Sequence, residues 1–284
     1  MFSLKKKKTI EYLQSPLLNN CDFLEHAFCS RLGGASRDDY KSLNMSFREG
    51  DEEFRVLQNW DCLATAFTIP LAQFLVVNQV HGNAILVIKA HGSYFSSNDE
   101  LNYDAIVTSR ADLAICIKTA DCVPVLIVDQ VKKVIAVVHA GWKGTAMEIS
   151  PKVIRLMQKQ YGCLQQDILA AIGPSIGKCC YEVDPVTADA LRRQNNSDLF
   201  LQQAKKNDKW MLDLPEANRR QLLETGVLES NIEVAGYCTN CNQDMFFSHR
   251  GSGGITGRQV NFMMIKSDNP CRTFILDNES KSLQ

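Results

Sequence analysis

Three segments of the chain each end a strand-like run on a side chain able to ligate a metal. They are Asn78-Gln79-Val80-His81-Gly82, Thr119-Ala120-Asp121-Cys122-Val123-Pro124 and Val138-His139-Ala140-Gly141-Trp142. Two imidazoles and a thiolate suit Zn²⁺ and leave a fourth position open, as catalytic rather than structural zinc sites do. His81 stands 41 residues before Cys122, and Cys122 stands 17 before His139; neither spacing is a zinc-finger pattern. On residues alone, two core histidines and a buried thiol remain the alternative. Position favours chemistry, because both histidines sit near glycine at the mouths of apolar runs. A zinc with an open position lowers the pKa of its water enough to supply hydroxide near neutrality. Asp121 and Glu182 are the acidic candidates for a proton shuttle. If Cys122 ends a strand, Asp121 can point to the opposite face and act as a brace instead.

The elements that must position these residues follow from pattern. Phe54, Leu57, Trp60, Leu63, Ala64 and Phe67 recur at helical spacing over residues 51–67, and Ile69-Pro70 ends the run. Short strands are expected at 10–13, 26–30, 74–80, 84–88, 105–108, 114–117, 123–128, 134–138, 168–172 and 232–235, from their Val and Ile content. His81-Gly82-Asn83 and Gln130 to Lys133 read as hairpin turns. Ser150-Pro151 reads as the N-cap and first residue of a helix to Tyr161, and 185–193 and 214–225 as further helices. Without regular βαβ alternation, the pattern argues for a mixed α/β (α+β) layered domain and against a Rossmann sheet. With no linker or repeat, residues 1–284 read as one domain with a polar, frayed tail from about Cys271.

Composition bounds the function. The 284 residues are 45% hydrophobic and 22% charged, with a net charge of −1, so no basic excess points to nucleic acid. The longest apolar runs, 123–128 and 134–138, are too short to span a bilayer. Lys5 to Lys8 is followed by no apolar signal-peptide core, so it reads as a solvated arm and the cytoplasm is the expected compartment. Thiols there stay reduced. The 11 cysteines are therefore expected as core residues, ligands or catalysts rather than bridges.

His139-Ala140-Gly141-Trp142-Lys143-Gly144-Thr145 resembles the HAGWRG signature of the YfiH (laccase-domain) family. Further segments match in order: Arg31 to Ser36, Ser42-Leu43-Asn44, Gly50-Asp51, Gln79 to Gly82, Asp104 to Thr108, Thr119 to Cys122, Ile172 to Gly177, Cys179 to Val183, Cys238-Thr239, Phe246 to Ser248 and Thr256 to Arg258. The resemblance spans about 23–263. It implies a layered α/β/β/α sandwich with mixed sheets, and one zinc held by His81, Cys122 and His139. It also implies phosphorolysis of adenosine, inosine or guanosine and methylthioadenosine, with inorganic phosphate as co-substrate, and hydrolytic deamination of adenosine. Copper in place of zinc with laccase-like phenol oxidation, and an amidase editing peptidoglycan precursors, are the alternatives it carries; in the amidase, Zn²⁺ would activate water or Cys122 would act as nucleophile.

Phosphorolysis needs cations for the phosphate. Arg31, Arg48, Lys143, Arg250 and Arg258 lie in or beside the matched motifs, with Lys143 the sharpest candidate because it follows His139 by four residues. Asn44 is a candidate substrate contact. Together with Cys122 and Asp121, Lys143 makes the expected catalytic set. Two departures stand out: the family's Arg is Lys143 here, which lacks the bidentate fork, and FFSYRR becomes Phe246-Phe247-Ser248-His249-Arg250-Gly251. Cys238-Thr239-Asn240-Cys241 is a lone CxxC, so Cys241 is expected to be incidental, and Cys179-Cys180 to pack a loop.

Overall fold

A computed structural model describes residues 1–89, 102–204 and 208–267. In chain order its strands begin with β1 (Ser3–Lys7), β2 (Ile10–Gln14), β3 (Leu24–Cys29), β4 (Phe74–Val76), β5 (Ile85–Ile88), β6 (Ala105–Thr108), β7 (Ala114–Thr119) and β8 (Val123–Asp129). There follow β9 (Val134–Ala140), β10 (Ile168–Ile172), β11 (Glu182–Val183), β12 (Leu201–Gln203), β13 (Trp210–Leu212), β14 (Ile232–Val234) and β15 (Gln259–Ile265). The helices are α1 (Glu53–Phe67), α2 (Trp142–Ala146), α3 (Ile149–Tyr161), α4 (Pro185–Arg192) and α5 (Leu214–Glu224).

Two six-stranded mixed sheets stack face to face. One has the order β1-β2-β3-β15-β7-β4 and the other β14-β10-β8-β9-β6-β5, with a small sheet β11-β13-β12 beside them. The period-2 alternation of β8 and β9 explains the stacking. Leu126, Val128, Ile135 and Val137 point between the sheets and meet Phe28, Ile115, Ile117 and Met263. Val123, Val125, Ile127, Val134, Ala136 and Val138 point the other way, onto α3 and α5. The outer face of the first sheet packs on α1 through Val56, Trp60, Leu63 and Phe67. The layers are therefore α/β/β/α, as expected. Among the described residues, no helix is long and apolar enough to cross a membrane.

Several local expectations are corrected. Lys5 to Lys7 is not a loose arm but part of edge strand β1, paired with β2, and its lysines suit an edge that must not recruit another strand. His81-Gly82-Asn83 does not close a hairpin: β4 pairs with β7 in one sheet and β5 with β6 in the other, so this segment crosses between layers. Phe54 and Leu57 face solvent, because Val56, Trp60, Leu63 and Phe67 form the stripe that meets the sheet. Helix α3 starts two residues before Pro151, after a Glu148 at φ +54°. The tail from about Cys271 lies outside the described residues.

Candidate active site

The strand ends deliver the three expected donors to one place. β8 and β9 pair with Val123 opposite Ala140 and Pro124 opposite His139, so Cys122 and His139 become cross-strand neighbours. His81 arrives on the crossing segment, in a left-handed conformation (φ +58°). The donor atoms of His81, Cys122 and His139 lie within 4.8 Å of one another. A Cβ on Gly141 would sit 3.1 Å from Cys122 Sγ and 3.2 Å from the His81 ring, so glycine keeps this cradle open.

Asp104 organises the cluster. This fully buried carboxylate accepts from His139 Nδ1 at 2.8 Å, from His81 N at 3.0 Å and from Gly82 N at 2.6 Å. Burial opposes its charge, but His139 and the Gly82 and His81 N–H groups win and hold its pKa below the usual carboxylate value. As an ionised acceptor it fixes the proton on His139 Nδ1, which turns Nε2 toward the thiol. Burial would raise the Cys122 pKa, yet His139 and then His81 pull it down to about 6. Burial likewise opposes the charge of His139, but Cys122 and Asp104 lift its pKa to about 9. The thiolate form, the one that ligates metal, is thus favoured.

A cavity of about 440 Å³ opens over these groups, within the range of small-molecule sites. Arg48, Arg250 and Arg258 line it, as do Asp121, Tyr181, Trp142 and His249. Arg48 donates to Asn78 Oδ1 and Arg258 pairs with Glu49 at 2.7 Å. Arg250 donates to the Glu182 carbonyl at 3.0 Å and lies over the Tyr181 ring. Both Asp121 carboxylate oxygens are engaged, by Thr239 Oγ1 at 2.6 Å and Arg250 N at 2.7 Å, which gives it a bracing geometry.

Other expected residues lie elsewhere. Lys143 is exposed over the Trp142 ring and does not line the cavity, because α2 begins at Trp142 and turns the next residue outward. Arg31 donates to the Lys41 and Gln243 carbonyls and stacks on Phe247, tying loops together outside the cavity. Asn44 is buried, bonding Ser46, Asp51 and the Arg258 N–H. Glu182 lies in β11 rather than in the cavity wall. The Gly33-Gly34 pair serves packing, since a Cβ on Gly34 would strike Ser42 O and Asn59 Oδ1. The Gly173–Gly177 turn spends its N–H groups on Pro124, Tyr237, Asp121 and Cys238.

Three contributors escaped the sequence reading. Lys118 lines the cavity; burial first, then Arg48, lowers its pKa to about 8, with Glu49 opposing and Arg258 adding to the fall. Its signal is a lone cation inside the apolar run Ala114–Thr119. Gln79 locks the crossing segment to β7 through reciprocal 2.7 Å bonds with the Lys118 backbone. Tyr181 is kept protonated, its pKa raised first by burial and then by the Cys122 charge.

Comparison with known proteins adds a second line. Residues 25–266 match the family described as multi-copper polyphenol oxidoreductase laccase. The chain is 36% identical over 236 residues to purine nucleoside phosphorylase YlmD of Geobacillus stearothermophilus, covering 81% of this chain and 86% of that one. It is 32% identical over 228 residues to adenosine deaminase RL5 from an unknown prokaryotic organism, covering 78% and 86%. The solved structure of Bacillus licheniformis hypothetical protein YfiH matches with a TM-score of 0.86 and 31% identity, over 93% of this chain and 99% of that chain.

Proposed function

Because the chain belongs to the laccase-domain (YfiH) family, we propose that it is a zinc-dependent purine nucleoside phosphorylase of the cytoplasm. The observation that carries this reading is that one cavity joins the His81/Cys122/His139 donors to the Arg48/Lys118/Arg258 cations. Phosphorolysis needs that juxtaposition, since phosphate attacks C1′ of the ribose as the purine leaves and the two reactants must be held in contact. The donor set fits zinc: one thiolate and two imidazoles converge, and Gly141 leaves space beside them. His81, Cys122 and His139 would hold the zinc, which would supply positive charge to the site.

The chain's own groups do the rest. Arg48, Lys118 and Arg258 neutralise and orient the phosphate, with Glu49 offsetting their mutual repulsion. Trp142 and Tyr181 offer aromatic surface to the purine, and the protonated Tyr181 phenol donates to a ring nitrogen. Asp104 positions His139, and Asp121 holds the Arg250 loop against the site. Adenosine, inosine, guanosine and methylthioadenosine all present the ribose and purine this arrangement needs.

Deamination of adenosine is a second reading, supported by the relative named an adenosine deaminase. It requires water rather than phosphate. Multi-copper oxidation is disfavoured by ligand chemistry. The chain has five histidines, and His26 is buried in the core accepting from Ser15 N.

The test is a panel of purine nucleosides with and without phosphate, on protein of measured zinc content. Phosphate-dependent release of free base, abolished by Cys122→Ala with the circular dichroism unchanged, is the expected result. Zinc-loaded protein that turns over no purine nucleoside overturns the reading. Ammonia release independent of phosphate transfers it to deamination.

A further inference from the structure

A second cluster of soft donors stands outside the cavity. The Sγ atoms of Cys179, Cys180, Cys238 and Cys241 lie within 4.8 Å of one another. The fold brings them there: β10 and β14 are parallel neighbours, so the loops beyond their C-terminal ends run side by side. Ser175 bridges to Cys238, with Ser175 N donating to Tyr237 O and Thr239 N to Ser175 O. The first loop then supplies Cys179 and Cys180, and the second supplies Cys238 and Cys241.

The geometry is that of one centre rather than two bridges. Cys241 Sγ lies 3.6 Å from Cys179 Sγ and 3.4 Å from Cys180 Sγ, so one thiol faces two partners. A tetrahedral site with Zn–S of about 2.3 Å places its sulfurs about 3.8 Å apart. The Gly177 N–H donates to Cys238 Sγ at 3.2 Å, a bond that favours a thiolate. A Cβ on Gly177 would come within 3.4 Å of Cys179 Sγ and 3.2 Å of Cys238 Cβ, so glycine leaves the room the cluster occupies. Cys241 was expected to be incidental and Cys179-Cys180 to pack a loop; the structure gathers all three with Cys238 in one cluster.

We propose that Cys179, Cys180, Cys238 and Cys241 form a tetrathiolate zinc site, structural in role and separate from the His81/Cys122/His139 donors. Four thiolates around one ion leave no open position, so the site does no chemistry. It clamps two loops that build the cavity wall. Cys180 is followed by Tyr181, and Cys238 by Thr239, which holds Asp121. The proposal does not rest on the nucleoside reading.

The test is zinc stoichiometry by elemental analysis on protein purified under reductant without chelator. Cys179→Ser/Cys241→Ser is expected to lose one zinc per chain relative to the unsubstituted protein. As a measurement that does not depend on that variant folding, cobalt is loaded into Cys122→Ala, where the active-site thiolate is gone. Intense thiolate-to-cobalt charge transfer with tetrahedral d–d bands is expected. A cobalt spectrum without thiolate bands, unchanged zinc in the folded double variant, disulfides among these four cysteines, or iron in place of zinc overturns the proposal.

Discussion

Asp104→Asn isolates the residue that organises the candidate site. The substitution keeps volume and removes one acceptor oxygen. Oδ1 takes His139 Nδ1 and His81 N, and Oδ2 takes Gly82 N at 2.6 Å and Val80 N at 3.3 Å. Either orientation of the amide turns its NH₂ toward two donors. With NH₂ toward Gly82 and Val80, two backbone N–H groups lose their acceptor, at about 1–3 kcal/mol each. Relaxation of the crossing segment brings the expected loss of stability to about 2–4 kcal/mol. With NH₂ toward His139, the ring must accept at Nδ1 and carry its proton on Nε2, the nitrogen that faces Cys122. Loss of such an orienting carboxylate typically weakens metal binding by about 10–100-fold, or about 1.4–2.8 kcal/mol. Urea unfolding measures the first quantity and zinc competition with a chromogenic chelator the second. The acid limb is a third readout. Asp104 has a depressed folded-state pKa, so its contribution is present above the unfolded carboxylate value of about 3.9 and is lost as pH falls through the folded one. Acid destabilisation below that pH should therefore be blunted in the variant. Stability within 0.5 kcal/mol of the parent (about the noise of a surface change) together with unchanged zinc affinity would refute the assigned role.

The two lysines separate the structural site from the motif-based one. Lys118→Met is expected to raise the KM for phosphate by about tenfold or more, as loss of a charge-assisted contact should. In the parent, the phosphate KM should climb as pH rises through about 8, where Lys118 loses its proton, and this climb should vanish in the variant. The sign for stability is opposite: the unfolded chain holds the proton up to about 10.4, so stability gains from pH 8 upward. Lys143→Ala, at an exposed position outside the cavity, should leave kcat/KM within about twofold, since no contact to the substrate is lost. Steady-state kinetics with phosphate as the varied substrate decides both.

The layers were legible because both central strands alternate two apolar faces, and β10, α4 and α5 fall within a residue of their expected bounds. β15 was missed although it lies between β3 and β7: Gln259-Val260-Asn261-Phe262 reads as half-polar, and its amides are buried, with Asn261 bonding Thr119. The lysine that lines the cavity is not the one the motif favoured, for a related reason. Proximity in sequence to His139 favoured Lys143, but the first turn of α2 rotates it outward. Lys118 lies one residue past the expected strand 114–117, yet it alone interrupts the buried run of β7. The buried-core reading holds for Cys21, Cys29, Cys116 and Cys163. The loop pairs Cys179-Cys180 and Cys238/Cys241 mix exposed and half-buried thiols with the buried Cys238, and stand 61 residues apart between Cys180 and Cys241. Only a parallel strand pairing brings those pairs together, and no local spacing encodes that.

The same reasoning explains why the His/Cys/His spacing looked irregular. Cys122 and His139 need only the β8–β9 hairpin, and their 17-residue gap is its length. His81 cannot come from the same sheet edge by a hairpin. It sits where the chain leaves β4 in one sheet and enters β5 in the other, and Asp104, at the start of β6, holds that crossing by its backbone N–H groups. One carboxylate thereby fixes a ligand from each side of the crossing, His139 through its ring and His81 through its backbone. The donor set is a property of how two sheets are stacked. A substitution that shifts the sheets without touching a ligand, such as one at the buried Leu126 or Val137 between them, should therefore loosen the site through His81 before it disturbs the Cys122–His139 pair.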